Sequence, residues 1–448
     1  MSKQRRFLIA LFFCLLAPTL AYAAPPIVEV TSPGGIKAWL LHTDRLPLIS
    51  MSFAFRGGVE LDPADKQGLA TLASGLLTQG AGPYDEQAFQ NELAEKSITL
   101  GLSASRDALV GEVKTLARTQ DEAFRLLALT LTQPRFAPDV LERLRDQHLT
   151  AARVKLGDPT WQGRYALLQD LFGAHPYAYR SLGSAQTLKA ITRDDVVHFV
   201  QDHLAKDNLV VAVVGDITPE ALALQLDRAF GALPAHAVLV SVPEATLPDE
   251  THSLSLAREG TQTTILFARP MMKRQDPDWH AALIANYILG GGGFASRLMN
   301  EVREKNGLTY GIGTGLTPMD KASLLMGELA TDNDKAGEAL ALTKQVWGDL
   351  VTHGASDAEM AAAKAYLTGS QPLALSSTDA AATLLLGMQL DDLPRDYLAH
   401  REALINAVTR DDVNRVLHRW FDPATTRFVF VGKPQNVHAD EERPLTKE

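Results

Sequence analysis

Between residues 290 and 315 the hydrophobic period of the chain changes from that of a helix to that of a strand. Gly290, Gly291, Gly292 and Gly293 close one helical pattern, Asp278 to Leu289, and open a second. Phe294, Leu298 and Val302 recur at every fourth position, which predicts one apolar stripe along that second helix. Asn306 and Gly307 stop it, because both residue types accept left-handed backbone. Leu308, Tyr310, Ile312 and Thr314 then alternate with Thr309, Gly311, Gly313 and Gly315, the period of a strand. Arg303 is therefore expected in the last helical turn and Tyr310 near the strand's start, facing each other across a tight corner. A guanidinium and a phenol so held can bind a peptide carbonyl or a developing oxyanion. A glycine-rich turn before a helix also suits phosphate, but the Lys-Ser/Thr pair of a P-loop is missing and a helix, not a strand, precedes the turn. The plain alternative is a packing turn with Arg303 solvated.

The same two periods run through the rest of the chain. Strands are predicted over 27–30, 36–41 and 48–55, a helix over 68–77, a second over 87–95, and a strand pair over 98–105 and 108–115. Long helical patterns cover 119–133 and 138–155, and His175-Pro176-Tyr177 marks a loop. A strand restarts over 263–269 and another covers 322–329; helices follow over 337–351 and 357–367. Strands first, then helices, twice over, predict an α+β protein with helices over one face of each sheet.

Two repeats support a duplication. Ala190-Ile-Thr-Arg-Asp-Asp-Val leads to Val213-Val214-Gly215, and Ala407-Val-Thr-Arg-Asp-Asp-Val leads to Phe430-Val431-Gly432, with the same Thr-to-Gly spacing, 215 − 192 = 432 − 409 = 23. Each reads as a Thr-capped helix with an Asp pair in its first turn, then a strand. Asn91-Glu-Leu-Ala-Glu-Lys96 likewise echoes Asn300-Glu-Val-Arg-Glu-Lys305, and Thr99-Leu100-Gly101 echoes Thr309-Tyr310-Gly311. On that alignment Ala94 and Leu100 stand where the second copy has Arg303 and Tyr310. The expected organisation is a signal segment at 1–23, one domain at 24–232, a Pro-containing linker at 233–253, a second domain at 254–433 and a fraying polar tail at 434–448.

Lys3, Arg5 and Arg6 precede an apolar run from Phe7 to Leu16, and Ala21-Tyr22-Ala23 offers a small-x-small cleavage site. That run is too short for a comfortable membrane span, so the chain reads as exported, to a bacterial periplasm. The single cysteine, Cys14, lies inside the signal, which leaves a mature chain without disulfides or thiolate ligands. Without the three signal cations, Lys+Arg falls to 43 − 3 = 40 against 53 Asp+Glu, a formal charge of −13 that disfavours nucleic acid and anionic lipid.

Gly-Gly-Gly-Phe-x-Ser-Arg-Leu followed by Val-Arg-Glu-Lys-x-Gly-Leu-x-Tyr resembles the second-domain signature of the pitrilysin/insulinase family of inverted-motif zinc peptidases, which includes mitochondrial processing peptidase. The resemblance implies two tandem homologous domains, each an antiparallel-rich sheet covered by helices. It also implies that Gly290 to Gly293, Phe294, Arg303 and Tyr310 bind substrate, with Arg303 and Tyr310 acting at the catalytic centre. In the family, His-x-x-Glu-His on an early helix holds zinc and supplies the general base. Here that helix reads Gly68-Leu-Ala-Thr-Leu-Ala-Ser-Gly-Leu-Leu, with Thr71, Ser74 and Gly75 at the three positions, so no metal ligand is assigned to this chain. His198 and His203 turn to different helical faces, His148 has no histidine companion, and His175 reads as a turn residue. The resemblance implies a subunit that lends Arg303 and Tyr310 to a zinc-bearing homologous partner and orients a peptide or unfolded polypeptide, while the partner supplies the metal and the attacking water. A non-catalytic peptide-binding or scaffold protein, and a lone metallopeptidase with unorthodox ligands, are the alternatives.

Overall fold

The computed structural model describes residues 26–447; the signal read from Met1 to Ala23, with Cys14, lies outside the described residues. Two six-stranded sheets carry the fold. The first contains β1 (Val28–Thr31), β2 (Lys37–His42), β3 (Leu48–Arg56), β4 (Thr99–Ala104), β5 (Ala108–Leu116) and β6 (Leu209–Gly215), in the order β1-β2-β6-β3-β5-β4. The second contains β7 (His252–Ala257), β8 (Gln262–Pro270), β9 (Ile312–Pro318), β10 (Ser323–Asp332), β11 (Arg427–Gly432) and β12 (Glu441–Arg443), in the order β12-β7-β11-β8-β10-β9. Five strands follow one order in both. β2 pairs with β6 in parallel, as β7 does with β11, and the hairpin strands pair antiparallel. The fold is α+β, as the alternation of periods predicts.

The sixth place differs. β1 enters from the N-terminal side and runs antiparallel to β2, whereas β12 comes from the C-terminal side and runs parallel to β7. The polar tail therefore builds a sheet edge instead of fraying. The Gln162 side chain holds it, donating to the Thr446 carbonyl (2.9 Å) and accepting from the Thr446 N–H (3.0 Å).

Both faces of each sheet are covered, not one. β3 is buried over seven consecutive positions, and so is β8. Ile49, Met51, Phe53 and Phe55 face the helices Leu69–Leu77, Gln120–Thr132, Arg193–His203 and Pro219–Phe230 of their own half. The opposite face, with Ala54, Ala212 and Val214, is covered by Ala381, Ala382, Leu385 and Leu386 of the Thr378–Leu390 helix, which comes from the second half. In exchange, the Pro159–Phe172 helix of the first half lays Ala166, Leu167 and Leu171 on Leu266, Ala268, Val429 and Val431 of the second sheet. Small residues permit the approach. A Cβ at Gly163 would stand 2.2 Å from the Leu266 side chain. Each half thus lends the other a covering helix.

The two repeated helices are capped alike. Thr192 and Asp195 form a reciprocal capping box on Arg193–His203, and Thr409 and Asp412 form the same box on Arg410–Trp420. Gly215 and Gly432 end the following strands with φ of 141° and 153°, and in both places a side chain would strike the backbone of the neighbouring strand.

Candidate functional site

The glycine turn is built by close approach. A Cβ at Gly290 would stand 2.6 Å from Thr314 Oγ1, and one at Gly292 would stand 2.7 Å from the Tyr287 carbonyl oxygen. The backbone is wound as a π-turn over Tyr287–Gly291 and again over Met299–Lys305, wider than the α-helix expected. Leu298 and Val302 are buried, as the stripe predicts. Phe294 is not. It sits in a tight turn before the helix, 63% exposed, with the Arg303 guanidinium 4.6 Å above its ring centroid. Such a contact holds a cation over an exposed ring by roughly 0.5–1 kcal/mol. Glu304 lies 3.4 Å from Arg303.

Strand β9 begins at Ile312, so Tyr310 stands in a loop and not in the strand. Thr309 pins that loop: its hydroxyl donates to the Ala330 carbonyl (2.7 Å) and accepts from the Gly311 N–H (3.1 Å), while the Thr331 hydroxyl donates to the Leu308 carbonyl (2.5 Å). Tyr310 is thrown outward, 86% exposed. Arg303, Tyr310, Glu304, Gln262, Asp332 and Lys335 line one depression of about 290 Å³. The structure brings the two expected residues to one hollow; among the described residues no hydrogen bond joins their side chains. Two donors, one over the Phe294 ring and one on a pinned loop, can bind carbonyl oxygens of an extended peptide laid over that hollow.

Register shows how the hollow arises. Phe53 pairs with Gly111, and Gly111 with Leu102; Phe267 pairs with Gly327, and Gly327 with Thr314. In both halves the Phe ring fills the space over the glycine, where a Cβ would stand 2.1 or 2.3 Å from it. Leu102 therefore corresponds to Thr314, and Leu100 to Ile312, so Leu100 is not the counterpart of Tyr310. Upstream, the Ile98 N–H donates to the Leu93 carbonyl and the Leu308 N–H to the Val302 carbonyl, five and six residues back. Ala94 does correspond to Arg303. The second half has one extra residue in the helical turn and two more before its strand, and Tyr310 belongs to that expansion. A widened turn of this kind is common at functional sites.

The Leu69–Leu77 helix cannot hold zinc. The Thr71 hydroxyl donates to the Ser181 carbonyl (2.6 Å), the Ser74 hydroxyl to the Thr71 carbonyl (3.0 Å), and a Cβ at Gly75 would stand 3.3 Å from Leu144. Among the described residues no group of three or more His, Cys, Asp or Glu could hold a metal ion. His203 stacks on Phe199 and meets its carbonyl through Nδ1, and burial pushes its pKa down. His148 is likewise lowered by burial. His175 caps the Pro176–Ala178 turn and its Nε2 meets the Pro243 carbonyl, tying down the connecting segment.

Residues 190–367, which include Gly290 to Gly293, Arg303 and Tyr310, match the family profile described as the peptidase M16 inactive domain. Over that stretch the chain is similar to an inactive peptidase domain of the pitrilysin/insulinase family. It resembles the crystal structure of a peptidase M16 inactive domain from Pseudomonas fluorescens, with a TM-score of 0.85 and 27% identity over 94% of this chain and 100% of that one. A Helicobacter pylori protein named non-peptidase homolog YmxG is 28% identical over 73% of this chain and 76% of its own length. The periplasmic protease PqqL from Escherichia coli shares the fold, with a TM-score of 0.79 at 15% identity, over 92% of this chain and 46% of that one.

Proposed function

We propose that this chain is the zinc-free subunit of an exported, peptide-hydrolysing pair. Its homologous partner would hold the metal, and this chain would supply Arg303 and Tyr310. Binding and orienting an extended peptide, and stabilising negative charge on its reacting carbonyl, are the steps assigned here to this chain. The observation that carries the reading is Tyr310, set out beside Arg303 by an expansion the first half lacks, in a chain whose zinc-motif helix is closed by packing. Export rests on the signal pattern of Met1 to Ala23; no helix among the described residues is long and apolar enough to cross a membrane.

The test mixes the mature chain with a zinc-bearing relative and follows cleavage of a fluorogenic peptide. Activity should appear only in the mixture. Arg303→Ala or Tyr310→Phe should lower it by on the order of 10²–10³, the usual cost of one preorganised donor, with pairing unchanged. A double variant within about twofold of wild type would make the pair structural. One feature favours the second reading, a peptide binder that does not cut. Edge strand β9 presents Gly313 and Gly315, with Gly311 just ahead of it, along an open groove of about 520 Å³, and bare edge backbone can accept an added strand. Retention of unfolded peptide by the chain alone, with no activity in any mixture, would select that reading.

A further inference from the structure

The β4–β5 and β9–β10 turns hold equivalent places in the two halves, and they meet tip to tip. The Asp320 N–H donates to Asp107 Oδ2 (3.3 Å), and the Lys321 N–H donates to the Tyr177 hydroxyl (2.8 Å). That hydroxyl in turn donates to Asp107 Oδ1. Tyr177 is fully buried; the Arg106 guanidinium donates to its carbonyl (2.7 Å) and lies over its ring. Glu60 lies beneath this junction, 8% exposed, with its carboxylate oxygen accepting from the Gly58 N–H (2.9 Å) and its own N–H donating to the Arg106 carbonyl (3.2 Å).

Three carboxyl groups, Glu60, Asp107 and Asp320, thus converge where the halves touch, and the nearby cations do not neutralise them fully. Arg106 donates to a neutral carbonyl and keeps its positive charge beside Asp107 and Glu60, one buried cation against three carboxyl groups. Arg56 lies 3.9 Å from Asp320 but 2.8 Å from Asp392, and it also donates to the carbonyls of Gln389 and Leu390. Lys321 adds a positive charge next to Asp320 on the same turn. The Pro176–Ala178 turn brings Tyr177 and the His175 ring to this side, and the Leu69–Leu77 helix brings no titratable group.

We propose that this junction is a proton-operated joint between the halves, closed while Glu60 carries a proton and loosened when it gives that proton up. Burial first, then the charges of Asp107 and Asp320, push the Glu60 carboxyl up to about 8. An opened joint returns Glu60 to water and to the ordinary carboxylate range, so opening releases one proton. Opening therefore gains up to about tenfold per pH unit between that range and about pH 8, and levels off above it.

Hydrogen exchange of the whole mature chain, corrected for the intrinsic pH dependence of exchange, reads the joint through peptides covering residues 105–107 and 319–322. Wild type should lose at least about tenfold in protection between about pH 5.5 and about pH 8, and little more by about pH 9. Glu60→Gln, neutral throughout and able to keep the Gly58 bond, should stay flat. Asp320→Asn removes one of the charges acting on Glu60 and should move the levelling-off point to lower pH. Constant wild-type protection, or an equal loss in Glu60→Gln, would overturn the joint. Should Glu60→Gln fail to fold, an unmoved levelling-off point in Asp320→Asn would overturn it.

Discussion

Arg297, inside the signature stretch, shows how a conspicuous cation can be a structural one. Its guanidinium grips Glu359 with two bonds (2.6 and 2.9 Å) and donates to the Gly354 carbonyl (2.9 Å). Burial alone would raise Glu359, but Arg297 and the Ser356 N–H and hydroxyl outweigh it and bring the carboxyl down to about 2. A lowered folded-state value means stability present above the ordinary glutamate range and lost as pH falls towards about 2. Arg297→Ala should cost about 2 kcal/mol at neutral pH by urea unfolding, and Glu359→Gln should flatten the acid limb of the stability curve. Tyr310 makes the opposite case. Its ring is exposed and its hydroxyl makes no hydrogen bond to the described residues, so Tyr310→Phe should shift unfolding by no more than about 0.5 kcal/mol. A larger change would mean that the phenol has a structural task.

At the scale of elements, the glycine under the phenylalanine is the shared device of the two sheets. Adding a methyl at Gly111 or Gly327 drives it into the ring of Phe53 or Phe267, both fully buried, so each Gly→Ala change should cost about 1–3 kcal/mol in thermal unfolding. Equal costs would be expected of equivalent positions; a neutral result at one would break the register equivalence. This device was not legible in the chain, because nothing in a sequence pairs a glycine of one strand with a phenylalanine of another. Strand and helix patterns were legible wherever one period ran for several turns, as in the Pro138–Leu156 and Ala336–His353 helices. The continuous apolar runs of β3 and β8 carried a signal for cover on both faces, but nothing in a sequence says which distant helix supplies it. The corner at Arg303 was legible to within a few residues. Its one-residue widening leaves Leu298 and Val302 buried at their four-residue spacing, so the extra residue leaves no trace in the pattern, and Tyr310 read as a strand residue.

The exchange of helices makes the whole molecule the unit of folding. Leu385 and Leu386 seal the first sheet from the second half, and Leu167 and Leu171 seal the second sheet from the first, all four buried. At roughly 1.5–3 kcal/mol for each large apolar side chain buried, these four alone contribute on the order of 6–12 kcal/mol across the exchange. That is comparable with the cost of holding two separate chains together, about 4–15 kcal/mol, and the remainder of both faces adds to it. The segment from Leu233 to Thr251 has no regular structure and crosses between the halves, anchored by the His175 contact and by the Ala245 N–H bonded to the Lys321 carbonyl. A protease site inserted there and cut after folding should leave both fragments in one peak on size exclusion, with cooperative unfolding retained. Either fragment expressed alone exposes the face its missing helix covers, and should bind a hydrophobic dye and aggregate. Fragments that part after cleavage and each stay folded would show that the exchanged helices are ornamental to stability, and that each sheet is sealed well enough by its own half.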